Sequence, residues 1–169
     1  RLQAAGQRRT FSTSWGDAIY CKATTNKLPE RTDAMSEQYK TPQDAEDAYY
    51  DAMEEGDLGK LLAVWADSDD ICCLLPMYPL IQGRREVEEV YGRLFSMGKG
   101  VELAIRHLSW IQAGDMAIHQ VEEIVQHPPP GQPKPPPFYA TNIFLKVDNS
   151  WRLLIHQNAP TPAPPPQGL

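Results

Sequence analysis

The sequence predicts one α+β domain, a cone-shaped curved antiparallel sheet wrapped on three helices. Three observations carry this expectation. Apolar residues recur at helical spacing in three stretches before residue 98. Four long strand-like runs follow, with Val, Ile, Phe, Tyr and Trp enriched in them. Turn and cap residues punctuate the boundaries between these stretches.

The first helix opens at Thr41-Pro42-Gln43-Asp44. Thr41 suits the N-cap, Pro42 the first helical position, and Asp44 complements the free amides of the first turn. Ala45, Ala48, Tyr49, Ala52 and Met53 then form an apolar face. Gly56 ends this helix and Asp57 caps the next, whose buried stripe is Leu58, Leu61, Leu62 and Trp65. Asp70 to Pro76 reads as a short apolar strand stopped by proline, and Leu80-Ile81-Gln82 as a brief second one. Arg84 to Met97 is the third helix, with Val87, Val90, Tyr91, Leu94 and Phe95 on one face.

The long strands are expected near Val101–Ile111, Met116–His127, Phe138–Val147 and Trp151–Gln157. Ala113-Gly114-Asp115 and Asp148-Asn149-Ser150 are hairpin turns. Residues 127–137 form a proline-rich excursion that cannot supply ladder donors.

Composition sets the limits. The 169 residues are 41% apolar and 22% charged, ordinary globular usage. Sixteen prolines are too many for one compact domain and mark loops or tails. The domain is therefore expected over 41–160, with a flexible extension at 1–40 and a proline-rich disordered tail at 161–169. For the extension, two other readings stand beside that one: translated sequence upstream of Met35, or a targeting remnant around Arg8–Ser14.

The net charge is −6, yet residues 1–34 carry six Lys/Arg against three Asp/Glu, leaving the domain acidic. An acidic surface repels phosphate backbones, so nucleic acid is not an expected partner. No apolar run reaches the roughly 20 residues that span a bilayer. Cys21, Cys72 and Cys73 show neither a disulfide framework nor metal-ligand spacing, which makes a reducing cytoplasm the expected compartment.

Particular segments narrow the fold. After an acidic, alanine-rich first helix come Ala63-Val64-Trp65-Ala66-Asp67, then Asp70 to Pro76, then Gln82-Gly83-Arg84. Tyr139-Ala140-Thr141-Asn142-Ile143 and Ser150 to Pro160 complete the series. In this order they resemble the SnoaL-like group of the nuclear transport factor two-like superfamily, with its cystatin-like fold. That group is also similar to the calcium/calmodulin-dependent kinase II association domain. Ketosteroid isomerase and scytalone dehydratase are more distant relatives.

The resemblance covers about 120 residues and implies a homodimer of cones, each with an interior pocket. Two departures stand out. Leu75 precedes Pro76, where related sequences often carry His, and the proline-rich insertion is unusual.

Strand alternation assigns side chains to shared faces. His119, Val121 and Glu123 point one way, as do Ala140, Asn142 and Phe144. Arg152, Leu154 and His156 oppose Trp151, Leu153 and Ile155. The candidate catalytic group is Glu123, His156 and Asn142, with His119 as a possible fourth member. A carboxylate in an apolar cone has a raised pKa and suits general acid–base work. His156 would transfer protons, and Asn142 would donate to a developing oxyanion.

Such polar side chains equally well satisfy one another in a core. His107 and His127 receive no role. Trp65, Tyr49, Tyr78, Tyr91 and Phe95 are candidate walls for a flat organic ligand, although aromatic residues on helix stripes ordinarily belong to the core. No phosphate loop, Ser-His-Asp elbow or helical His pair is present, so neither a metal nor a cofactor is expected.

The function this supports is small-molecule binding, with isomerase, dehydratase or cyclase-like chemistry. The alternative is a non-catalytic oligomerisation or interaction module.

Overall fold

The computed structural model describes residues 38–161 except Lys99 and Pro129. The expected tail from residue 162 and the extension up to residue 37 lie outside the described residues. Of the extension, Gln38–Lys40 fall inside, and Tyr39 is buried. Its N–H donates to Ser150 Oγ at 3.0 Å and its carbonyl accepts from Trp151 N at 2.9 Å. The folded unit therefore starts slightly before the first helix.

Helix α1 spans Pro42–Glu55 and begins with a full capping box. Asp44 N–H donates to Thr41 Oγ1 at 3.1 Å, and Thr41 N–H donates back to Asp44 Oδ2 at 2.9 Å. Gly56, at φ 68°, closes it in the left-handed conformation that glycine adopts without strain. Helix α2, Leu58–Val64, is capped by Asp57, which accepts from Lys60 N. Strands β1 (Cys72–Leu74) and β2 (Ile81–Gln82) are short, and α3 covers Arg84–Ser96. Then come β3 (Leu103–Ala113), β4 (Met116–Val125), β5 (Phe138–Val147) and β6 (Ser150–Pro160).

The strands form one sheet in the order β2-β1-β6-β5-β4-β3. It is mixed rather than wholly antiparallel, because β1 lies parallel to β6. The reason is topological: α3 and four further strands separate the two, so no hairpin constrains their directions. The hairpin turns fall where expected, with Asp148 and Asn149 both at positive φ between β5 and β6. The helices pack on one sheet face, and Trp65, Tyr49, Tyr91, Phe144, Leu61 and Leu153 form the fully buried centre. This is the α+β cone predicted from the sequence.

Two bulges decide which side chains meet inside. In β3 the pairing slips between His107 and Ser109, leaving Leu108 without a cross-strand partner. In β6, Ile155 pairs with Ile143 but Leu153 pairs with Phe144, so Leu154 is the extra residue. The simple alternation that opposed Leu153 to His156 is thereby corrected. Both are buried on the helix-covered face, as are Asn142 and Glu123 across the ladder.

Candidate functional site

The interior face carries an unusual concentration of buried polar groups. Glu46, His119, Glu123, Asn142, His156 and Asn158 are each less than a tenth exposed. Burying such groups is costly unless each finds partners, and here they form one connected network.

Glu46 stands at its centre. It lies on the buried side of α1, one turn before Tyr50. Asn142 Nδ2 donates to Glu46 Oε1 at 2.9 Å, while His119 Nδ1 and His107 Nε2 approach Glu46 Oε2 at 3.1 and 2.7 Å. The β3 bulge at Leu108 is what turns His107 and Trp110 toward the same side. The Trp110 ring in turn stacks on His119, 4.7 Å between centroids and 9° from parallel. Burial opposes the charge on Glu46, yet hydrogen bonds from His119, Asn142 and His107 outweigh it. They hold the carboxyl below its ordinary range.

Tyr50 links this cluster to a second carboxylate. Its hydroxyl accepts from Asn142 Nδ2 at 3.0 Å and donates to Glu123 Oε1 at 2.8 Å. Asn158 Nδ2 donates to the other oxygen of Glu123. Because Asn142 spends its amide hydrogens on Glu46 and Tyr50, its carbonyl oxygen faces His156, whose Nδ1–H donates at 2.7 Å. His156 Nε2 lies 3.8 Å from Glu123 Oε1. Burial pushes the His156 pKa down, despite the neighbouring Glu123 charge, and so favours the neutral ring. Burial, with Glu123 beside it, raises the Tyr50 hydroxyl well above its usual range.

The structure thus brings Glu123, Asn142 and His156 together, with His119 one residue further along the network. Of the aromatic candidates, Tyr49 touches this network, its ring centroid 5.0 Å from that of His156. Trp65, Tyr49 and Tyr91 are core residues, and Tyr78 and Phe95 pack half-buried against that core. Tyr49 and Tyr91 share a hydroxyl hydrogen bond of 2.7 Å, and Tyr91 contacts Cys73 Sγ at 3.4 Å. Burial raises the Cys73 thiol to about 12, which makes it a poor nucleophile.

Two grooves reach the network, and other residues wall them. One, of about 410 Å³, runs between α1 and β3 and is lined by Glu46, Asp47, Tyr50, Asp51, Glu54, Leu103, Ile105 and His107. The second, of about 390 Å³, lies beyond Trp110 and includes Thr41, Pro42, Gln43 and His119.

Sequence reasoning missed Glu46, Tyr50 and Asn158, and gave His107 no role. A usable signal was present. Glu46 and Tyr50 stand four residues apart on one helix face, directly beside the apolar positions Ala45 and Tyr49. The absence of metal-ligand spacing also hid a grouping: ligand atoms of Glu46, His107 and His119 all lie within 4.8 Å of one another.

A helix-backed curved sheet with a polar network beneath a groove defines a class of α+β cone domains. The model of the SnoaL-like domain matches residues 43–163, and the chain belongs to that family. Among solved structures it is similar to a protein of Thiobacillus denitrificans named for the calcium/calmodulin-dependent protein kinase type II association domain. They share 28% identity over 75% of this chain and 99% of that one, with a TM-score of 0.68. A protein of Streptomyces avermitilis, named as a dehydratase of the NTF2-like family, shares 26% identity over 70% and 92%, at a TM-score of 0.63. A ketosteroid isomerase-like protein of Erwinia carotovora atroseptica, 22% identical over 69% and 90% with a TM-score of 0.55, shares the fold. No curated protein matches the chain. Among the described residues, no helix is long and apolar enough to cross a membrane.

Proposed function

We propose that this domain binds a small organic molecule in the groove between α1 and β3 and moves a proton on it. One observation carries the reading. The His107–Glu46 pair stands at the groove wall and is wired inward through Asn142 and Tyr50 to Glu123 and His156. With Nε2–H given to Glu46, His107 keeps Nδ1 as the nitrogen able to accept a proton. The carboxylate then stabilises the imidazolium that forms, as in other His–carboxylate dyads. In an isomerisation His107 would take a proton from a carbon beside a carbonyl and return it to a neighbouring carbon. Asn142 holds the dyad directly, and Glu123 and His156 brace it through Tyr50 and Asn142.

The groove also limits the ligand. Leu103 and Ile105 offer an apolar wall, while Asp47, Asp51 and Glu54 line the helix side. A ligand with an apolar body and a cationic or hydrogen-bond-donating edge fits these walls. The name of the Streptomyces avermitilis relative is in keeping with chemistry of this kind.

The test is a thermal-shift screen of amine-bearing ketones, enones and steroid-like compounds against wild type, His107→Ala and Glu46→Gln. A compound that binds the native form raises the melting temperature by mass action. The reading requires at least one such compound whose effect disappears in a folded variant. It fails if no compound shifts the wild type, or if every shift survives both substitutions.

A second reading, assembly, has its own observation. Ile111, Ile118, Ile143 and Ile155 are successive cross-strand partners across β3, β4, β5 and β6. The row lies on the sheet face turned away from the helices, where Ile111 is 53% exposed and the other three are half-buried. A second copy laid on this face would cover the row and form a homodimer. This arrangement is compatible with ligand binding, since the groove opens beside α1.

A further inference from the structure

We propose that Glu46, His107 and His119 form a binding site for a divalent transition-metal ion at the inner end of the groove. The inference rests on reading this groove as the site, and it replaces the shared ring protons of the cluster with a cation. Two imidazoles and one carboxylate are a donor set suited to Zn²⁺, Fe²⁺ or Co²⁺, leaving coordination positions open for water or substrate.

Four features of the structure support it. The three donor atoms already lie within 4.8 Å of one another. Donors bonded at ~2.1 Å in a tetrahedral site stand roughly 3.4 Å apart, so small side-chain rotations suffice. Asn142 holds Glu46 Oε1, which leaves Oε2 directed at both imidazoles. Such an outer hydrogen bond is what orients a ligating carboxylate. His119 is clamped between Trp110, stacked at 4.7 Å, and Phe144 at 5.2 Å, so one ligand is fixed before the ion arrives.

Finally, His107 lines the groove, and Asp47, Asp51 and Glu54 line it too. The ion has a route from solvent past acidic side chains, and the groove lining holds no Lys or Arg. On binding, each neutral ring moves its proton to its other nitrogen, His107 to Nδ1 and His119 to Nε2. The two freed nitrogens then coordinate, and no redox change or further reactant is needed.

The test uses the full chain without a histidine tag, titrated with Zn²⁺ alone by calorimetry and with Co²⁺ by visible absorption. The expected result is one ion per chain, with Co²⁺ bands of a four- or five-coordinate site. Affinity should fall at least about tenfold in His107→Ala and in Glu46→Gln. Both variants keep the buried histidine, so they test the site even if His119→Ala does not fold. Saturating Zn²⁺ should raise the melting temperature of wild type by more than that of either variant.

Absence of saturable binding overturns the proposal. So does binding of unchanged strength in His107→Ala and Glu46→Gln, which would put the ion on other residues such as the cysteines. Repeating the organic-ligand screen in chelator separates the two readings. Ligand shifts that persist there keep the proton-transfer reading whether or not the metal site stands.

Discussion

Tyr50 donates its hydroxyl to Glu123 across 2.8 Å of buried interior, and that bond joins helix α1 to strand β4. The same oxygen accepts from Asn142, so one atom connects the two carboxylate clusters. Removing it leaves a Glu123 oxygen and an Asn142 hydrogen short of a partner, on side chains that are both buried. Each orphaned buried group costs about 1–3 kcal/mol. Tyr50→Phe should therefore lower unfolding stability by roughly 2–6 kcal/mol in urea titration, without altering the m-value. A loss within error would mean that the hydroxyl contributes nothing to the network.

Local chemistry made most of the fold legible. Thr41, Pro42, Asp44, Gly56 and Asp57 declare the ends of α1 and α2, and hairpin turns declare the register of β5 on β6. The site was harder because its contacts are remote. Glu46 meets His107, His119 and Asn142 across 61, 73 and 96 positions. A carboxylate on an amphipathic helix reads as a solvated residue until those partners are in place. The bulge at Leu154 is equally silent in the residues themselves, and it reverses which half of β6 faces inward. The grouping of His156 with Arg152 and Leu154 crossed that bulge and fails there, whereas Asn142 keeps the buried Ala140 and Phe144 on its own face.

Acid should loosen this core in two stages. His156 is held below its ordinary pKa of 6.5 by burial, so the unfolded chain binds its proton more readily than the native one. Stability therefore falls as the pH drops through 6.5 and continues to fall until the native ring itself titrates. Glu46 is also held below its ordinary value of 4.5. Its contribution is complete above 4.5 and is lost as the pH falls toward the native pKa. Melting temperatures between pH 7.5 and pH 4 should decline throughout. The part between 6.5 and 5 should be smaller in a folded His156→Gln variant, and an unchanged slope there would assign that decline to other groups.

Gly100 tests how α1 is held at its far end. A Cβ at this position would stand well inside contact distance of the Met53 and Glu54 carbonyl oxygens. Both are backbone atoms of the last turn of α1, which cannot swing aside as a side chain would. The neighbouring Val101 N–H donates to Met53 O at 2.8 Å, fixing the approach. Gly100→Ala should destabilise by about 1–3 kcal/mol, the usual penalty for forcing extra volume into a packed contact. Gly98→Ala is the control, since a Cβ there meets nothing within 4 Å. Equal effects from the two substitutions would show that the close approach to α1 is not what matters.

The isoleucine row makes the assembly reading testable without disturbing the groove. Ile118 and Ile143 sit in the middle of that row, half-buried, with their neighbours Ile111 and Ile155 to either side. Each points away from the helices, so a charged replacement does not enter the polar network. If a second copy covers this face, Ile118→Lys places an unpaired charge at the centre of the interface on both subunits. The desolvation of two such charges outweighs what the remaining apolar contact returns. Light scattering coupled to size exclusion should then give twice the chain mass for wild type and the single chain mass for Ile118→Lys. The variant should also keep its far-ultraviolet spectrum, because the substituted side chain is not part of the core. A wild type that is monomeric at tens of micromolar would remove this face as a dimer surface. A dimer that survives the substitution would move the interface to another part of the domain.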